Sequence, residues 1–147
     1  MNNSVSERAD GGSKIWQILR SVFAVIVGLL LAIILSMVTD YIIERAIGRL
    51  LLSNGELFIS LIYRVVYAIF ASYVTAVLAP SRPMLHALIP GIVGMIPWLL
   101  GMFMMWNVVP KWFMPTGLVT SILFAWIGGK LREMQLRSRS AEHFERA

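Results

Sequence analysis

The sequence predicts an all-α protein: an integral membrane bundle of four helices that run up and down, each antiparallel to the next. Apolar residues make up 58% of the 147 residues, against roughly 45–50% in soluble globular domains. Charged residues make up only 14%, against about 25% in such domains. A soluble fold of this length cannot bury so much apolar surface, so we expect the lipid bilayer to be its solvent and partner.

Four long apolar runs predict the spans, at residues 21–43, 57–79, 84–109 and 113–129. At 1.5 Å per residue the first three can cross about 30 Å of hydrocarbon, and the fourth is at the short end of the usual range. Helix is the expected conformation because an unclosed strand would leave backbone groups without hydrogen bonds in lipid. The alternation of polar and apolar residues that marks barrel strands is missing.

The segments that flank these runs are polar. Residues 1–14 are predicted to form a disordered polar tail, and residues 132–147 a charged cytoplasmic tail that follows the helical domain at 15–131. The first apolar run is too long for a secretory signal peptide and lacks a cleavage site close behind it. We therefore expect it to be retained as the first span.

Basic residues predict the orientation. If the N-terminus is inside, the outer loops hold only Arg45, Arg49 and Lys111. The inner segments then hold many more: Arg8, Lys14, Arg20, Arg82, Lys130, Arg132, Arg137, Arg139 and Arg146. This bias predicts that both termini are cytoplasmic. The same distribution argues against nucleic acid as a partner, because the basic residues follow the ends of apolar runs.

Small side chains recur about every fourth residue along the predicted helices. Such a stripe lets two helix backbones approach closely in a membrane, where burial of apolar surface does not drive association. The residues that we expect to pack helix against helix are Gly28, Ala32, Gly91, Gly94, Gly117, Ser121 and Ala125. Packing within one bundle is the favoured interpretation, and self-association of two copies is the alternative.

Arg64 is the only basic residue inside a predicted span. An ionisable residue at such a position is a functional-site hypothesis by default. Asp40 occupies the matching position of the first helix, and antiparallel helices would bring the two together as a charge pair in the outer half of the bundle. Glu44, one turn further along, is the reserve partner. The pair fits either a structural role or the binding of a substrate or ion.

No set of catalytic or metal-binding residues is evident. The chain has no cysteine and two histidines, of which His86 lies at the inner edge of the third span and His143 in the tail. No serine has a histidine at its depth to act as a base. We therefore predict that the protein is not an enzyme and has no cofactor or metal site.

Residues 73–94 carry the turn Ala79-Pro80-Ser81-Arg82-Pro83-Met84-Leu85-His86-Ala87, and the fourth run ends in Trp126-Ile127-Gly128-Gly129-Lys130-Leu131. These pieces resemble a family of small bacterial inner-membrane proteins that have four predicted helices and no assigned activity. The resemblance covers roughly residues 60–131. It implies the topology and a bacterial inner membrane, and it implies no mechanism.

Two functions are consistent with these features. The leading hypothesis is a structural or accessory membrane protein of unknown molecular activity that joins a larger complex. The alternative is a small oligomeric transporter or channel subunit that uses the region of Asp40 and Arg64. A transporter predicts a polar cavity that reaches the middle of the membrane, whereas an accessory protein predicts a dry bundle.

Overall fold

The computed structural model describes residues 3–48 and 53–145, with side chains at 15–48 and 53–141. In this part of the chain all regular structure is helical and no strand occurs. The four helices are α1 (Asn3–Ile47), α2 (Asn54–Leu78), α3 (Pro83–Met105) and α4 (Phe113–Glu145).

The first helix is longer at its start than the sequence predicted. It begins at Asn3, so most of the segment 1–14 that we expected to be a disordered tail has helical backbone. Its other end is set by Gly48, whose φ of 76° is in the left-handed region. The Gly48 N–H donates to the carbonyl of Glu44 at 2.8 Å, which is a common glycine termination of a helix.

The second helix begins with a capping box. The Ser53 hydroxyl accepts from the Glu56 N–H, and the Glu56 carboxylate accepts from the Ser53 N–H at 3.0 Å. These bonds satisfy N–H groups that would otherwise lack partners at a helix start. They explain why α2 begins three residues before the predicted span, which started at Leu57.

The third helix begins after a left-handed residue and ends earlier than predicted. Arg82 has φ 45° and precedes Pro83 at the first helical position, where a proline costs no hydrogen bond. The prediction of a span over 84–109 is wrong at its end, since α3 stops at Met105. Pro110 disfavours helical backbone at Val109, and Val109 lies in the connection to α4 instead.

The fourth helix passes through its charged half without a break. It runs on to Glu145, so the predicted tail at 132–147 is helical up to that residue. Lys130 pairs with Glu133 at 3.5 Å, and Arg132 donates to Gln135 at 2.7 Å. Contacts between residues three apart in sequence support the exposed part of a helix.

Contacts between the helices establish the up-and-down order. Arg20 near the start of the α1 apolar segment donates to the carbonyl of Leu78 at the end of α2, so these two helices are antiparallel. A side chain at Gly129, late in α4, would meet Met84 at the start of α3, so α3 and α4 are antiparallel as well. We call the end with the α1–α2 and α3–α4 connections the loop end, and the opposite end the turn end.

The helices do not form a closed ring. The second helix contacts all three others, whereas the described residues of α1 and α4 do not approach each other closely. Most of the fully buried side chains are small, as at Ala24, Ala71, Thr75, Ala87 and Ala125. A cluster of larger apolar residues lies at the loop end, where Trp98 and Met102 pack against buried side chains: Leu57, Leu61, Val109, Phe113 and Met114.

Three of the helices are long and apolar enough to cross a membrane: α1 from Ile15, α2 and α3. The fourth is not among them, because its apolar residues end at Gly129 and a charged segment follows. Large apolar side chains cover the outside, and Phe103 and Met104 expose 84% and 80% of their surface. The sequence prediction of four spans is therefore supported for three helices.

Candidate functional site

The structure brings Asp40 of α1 and Arg64 of α2 together as an ion pair. Arg64 Nη2 lies 2.5 Å from Asp40 Oδ2, and the Tyr63 hydroxyl donates to the other carboxylate oxygen. Both oxygens of Asp40 are therefore engaged. The two side chains keep 25% and 33% of their surface exposed, so the pair is only partly buried within the bundle.

A second polar contact fixes the register of α1 against α2 next to this pair. The hydroxyls of Thr39 and Tyr67 are 2.9 Å apart. The rings of Tyr63 and Tyr67 lie 5.8 Å apart on the same face of α2. Tyr63 bonds to Asp40, and Tyr67, one turn later in α2, bonds to Thr39. Both contacts therefore hold the same antiparallel register of α1 against α2.

Aromatic rings flank the Arg64 guanidinium. Its central carbon lies 5.8 Å from the centre of the Tyr63 ring and 5.9 Å from that of Trp98. A cation at this distance from an aromatic ring is stabilised. The Nε atom of Arg64 is buried and has no hydrogen-bond partner in the described structure, so only the outer part of the guanidinium is reachable.

One cavity extends from the ion pair to the loop end of the bundle. Its volume is about 330 Å³, and we call it the loop-end cavity. Its charged lining residues are Asp40, Glu44 and Arg64, and its walls include Trp98 and Phe113. The rings of Trp98 and Phe113 meet edge to face at 5.3 Å, a favourable geometry for two aromatic side chains.

A second cavity extends from the ion pair towards the middle of the bundle, between α1, α2 and α3. Its volume is about 320 Å³, and we call it the central cavity. The lining is mostly apolar, with the hydroxyls of Ser36, Ser72 and Ser121 among it. A cavity of this size is at the lower end of the range that holds small-molecule ligands.

The ion pair stands where the two cavities meet. Asp40, Arg64, Pro97 and Trp98 line both of them. Because Pro97 has no N–H, the carbonyl of Val93 lacks its usual helical donor, and Val93 also lines the central cavity. The site therefore combines an ion pair, an aromatic ring and a backbone carbonyl without its normal partner.

The predicted packing residues fall into two groups. A side chain at Gly28 would collide with Thr75, one at Gly91 with Ala125, and one at Gly117 with the ring of Trp98. Ala125 is fully buried, and the carbonyl of Ser121 faces Gly91. Gly28 and Gly91 let two helix backbones approach closely, and Gly117 makes room for the Trp98 ring.

Gly94, another predicted packing residue, does not work in this way. No atom of another described helix lies within 4 Å of a side chain built at Gly94, and Gly94 lines the central cavity together with Ala32. The stripe of small residues is present, but at Gly94 no described helix backbone lies opposite. Small residues here leave space instead of filling it.

The reserve partner and the histidine lie elsewhere. Glu44 lines the loop-end cavity and makes no ion pair with a described residue, so it does not replace Asp40. His86 lies at the turn end, where its Nδ1 is 3.2 Å from the carbonyl of Arg82. His143 lies outside the residues whose side chains are described.

Trp98 is the main residue that the sequence reasoning did not select. It lines both cavities and contacts Arg64, Phe113 and Gly117. A signal for it exists, since Trp98 continues the stripe of Gly91, Gly94 and Gly101 at helical spacing. A large aromatic residue within a stripe of glycines indicates a ring that fills the space the glycines leave.

Comparisons of this chain with protein-family models, with curated protein sequences and with solved structures find no match. The resemblance of the Ala79–Ala87 turn to small bacterial inner-membrane proteins therefore stays a prediction.

Proposed function

We propose that the chain is an integral membrane protein whose four helices all cross the bilayer, with both termini in the cytoplasm of a bacterium. Three helices have the length and composition of spans. The exposed apolar surface on α1 and α3, as at Trp16, Phe103 and Met104, suits contact with lipid. The excess of basic residues at the turn end supports the orientation, and the resemblance of the α2–α3 turn supports the inner membrane.

This topology is tested with reporter fusions in a bacterial host. A fusion after Gly129 should report a cytoplasmic location, and one within residues 44–56 a periplasmic location. If only three helices cross, the fusion after Gly129 reports outside, which would contradict both the fourth span and the cytoplasmic C-terminus.

Within that membrane framework, the protein acts as a small transporter or channel subunit that binds its ligand in the region of Asp40 and Arg64. The observation that carries this proposal is the position of the ion pair where two cavities meet. Insertion scales put the cost of a charge at mid-membrane near 2.5–3.5 kcal/mol, and such charges commonly line substrate or ion pathways. A dry bundle would offer no such space.

The absence of cysteine from the chain makes a direct test practical. We compare Ser36→Cys, which lines the central cavity, with Ile34→Cys, whose side chain is 55% exposed on the outside of the same helix. Both variants are treated in intact membranes with a water-soluble, membrane-impermeant thiol reagent. Labelling is measured by mass after extraction.

We expect the cysteine at position 36 to be labelled and the one at position 34 to be protected by lipid. If neither is labelled, the cavity is dry and the transporter proposal is wrong. If both react equally, position 34 does not face lipid and the membrane proposal itself fails.

A structural or accessory role is the second candidate. One observation favours it: both oxygens of Asp40 are already bonded, to Arg64 and to the Tyr63 hydroxyl, as in a clamp that fixes two helices. In that case the partner is another membrane subunit or a second copy of this chain. This candidate would be supported if the cysteine at position 36 is not labelled and a stable complex co-purifies from native membranes.

A further inference from the structure

The charge of the loop-end cavity is not balanced. Its ionisable lining residues are two carboxylates, Asp40 and Glu44, against one guanidinium, Arg64, so the net charge is −1 when all three are ionised. Asp40 and Arg64 neutralise each other at 2.5 Å. The carboxylate of Glu44 is left over, since it makes no ion pair with any residue that the structure describes.

The walls of this cavity suit an apolar body. Trp98 and Phe113 present aromatic rings, and Leu57, Met105 and Met114 present flexible or branched apolar side chains. Methionine adapts its shape to different ligands, and tryptophan is the strongest aromatic partner for a cation. The aromatic rings of Trp98 and Phe113 and the carboxylate of Glu44 therefore line the same cavity of about 330 Å³.

The position of the cavity allows a ligand to enter from the loop end. Glu44 belongs to the last turn of α1, and Met105 is the last residue of α3. Lys111, a described cation of the connection at this end, lies 6.0 Å from the Trp106 ring and does not line the cavity. Of the charged residues that line the cavity, Glu44 is therefore the one nearest the loop end.

An anion is not favoured by the same geometry. The guanidinium of Arg64 is already paired with Asp40, and its unpartnered Nε atom is buried out of reach. An anion would also face the charge of Glu44 at close range. Repulsion between that anion and the carboxylate of Glu44 would weaken its binding.

We propose that the loop-end cavity binds a monovalent organic cation with an apolar body, with Glu44 as its counter-ion and Trp98 and Phe113 against its body. This inference rests on the proposed function, because it names the class of ligand that the same site takes. The Asp40–Arg64 pair then forms the neutral floor of the cavity.

The test uses three ligands of similar shape and different charge on the full-length protein in detergent. Binding of 2-phenylethylammonium, 2-phenylethanol and phenylacetate is measured by saturation-transfer nuclear magnetic resonance and by competition against the radiolabelled ammonium compound. We expect the cation to bind at least about tenfold more tightly than the alcohol, because a hydrogen bond to a charged group is worth more than one to a neutral group. Phenylacetate should bind most weakly.

The variant Glu44→Gln should lose that advantage, so that the cation and the alcohol bind within about threefold of each other while the affinity for the alcohol is unchanged. The matched control is Glu133→Gln, which removes a carboxylate at the other end of the bundle, paired there with Lys130. It should leave the order of the three ligands as it is in the wild type.

Three results would overturn the inference: phenylacetate binds best, none of the ligands binds, or the preference for the cation survives Glu44→Gln. The ligand series on the unmodified protein stands even if the variant fails to fold. Failure here is distinguishable from failure of the proposed function, because labelling of Ser36→Cys reports water in the central cavity whatever the ligand is.

Discussion

Stripes of small residues occur both at the interface between α3 and α4 and at the gap between α1 and α3. They allow close packing at the interface and leave a cavity at the gap. Between α3 and α4 each predicted glycine meets a neighbour: Gly91 meets Ala125, and Gly117 meets the Trp98 ring. Between α1 and α3 the small residues Ala32 and Gly94 line a cavity of about 320 Å³. One side is packed and the other is open.

This difference shows that a stripe of small residues determines how closely a second helix can approach. It does not determine whether a second helix lies opposite the stripe. Close packing needs a second backbone opposite the stripe. The fourth helix provides one for α3, whereas α1 does not reach α4 and leaves part of α3 uncovered. The open side is also the one that contains the ion pair.

The largest effect is expected when a bulky side chain is placed at a tight contact between two helices, either α1 with α2 or α3 with α4. Gly28→Leu and Gly117→Leu should each lower the free energy of unfolding by about 3 kcal/mol, because the added atoms collide with Thr75 or with Trp98 and force the helices apart. Unfolding is measured by titration with a denaturing detergent.

Gly94→Leu is the matched control, since its side chain would point into the central cavity. It should change stability by less than about 1 kcal/mol. Equal losses at Gly94 and Gly117 would mean that the two sides of the bundle are packed alike.

A smaller effect, with opposite signs on the two sides, is expected from alanine. Gly91→Ala should destabilise by about 1 kcal/mol, because its methyl group meets Ala125 and the carbonyl of Ser121, 2.9 Å away. Gly94→Ala should stabilise by about 0.5–1 kcal/mol, since alanine favours a helix over glycine and nothing obstructs it. The same detergent titration measures both variants, and a shared sign would contradict the comparison.

The smallest effect concerns the hydroxyl contact between α1 and α2. Tyr67→Phe removes its bond to Thr39 and should cost about 0.6 kcal/mol, the average for hydrogen bonds between membrane helices. Thr39→Val should cost a similar amount, and the double variant should cost little more than either one. A fully additive double variant would show that the two hydroxyls do not bond.

The sequence predicts much of this fold because the signals are local. Four apolar runs, the Pro80–Pro83 turn and the residues that flank them locate four helices, and antiparallel order follows from short connections. The contact between Asp40 and Arg64 can be predicted from their depth in the bundle, since residues at the same depth in antiparallel helices lie opposite each other. The helix ends are predicted less well from the sequence. The capping box at Ser53 and the end of α3 at Met105 depend on single residues.

The cavities could not be predicted, because they depend on which helices are neighbours. Gly91 and Gly94 belong to the same stripe of small residues in α3, yet only Gly91 faces α4. The role of Trp98 depends in the same way on the fourth helix, whose Gly117 makes room for the ring. The choice of Asp40 over Glu44 as the partner of Arg64 likewise depends on side-chain packing, in which Asp40 bonds to both Arg64 and Tyr63.

The double-mutant cycle at Asp40 and Arg64 tests most directly whether this pair joins α1 to α2 where the cavities meet. Arg64→Ala and Asp40→Ala should each destabilise by about 2 kcal/mol, between the 0–1 of an exposed pair and the 3–5 of a fully buried one. The double variant should recover at least about 1 kcal/mol of the summed loss, whereas Arg64→Ala combined with Glu44→Gln should be additive. Strict additivity at Asp40 and Arg64 would contradict the account, since it would mean that the two side chains do not interact.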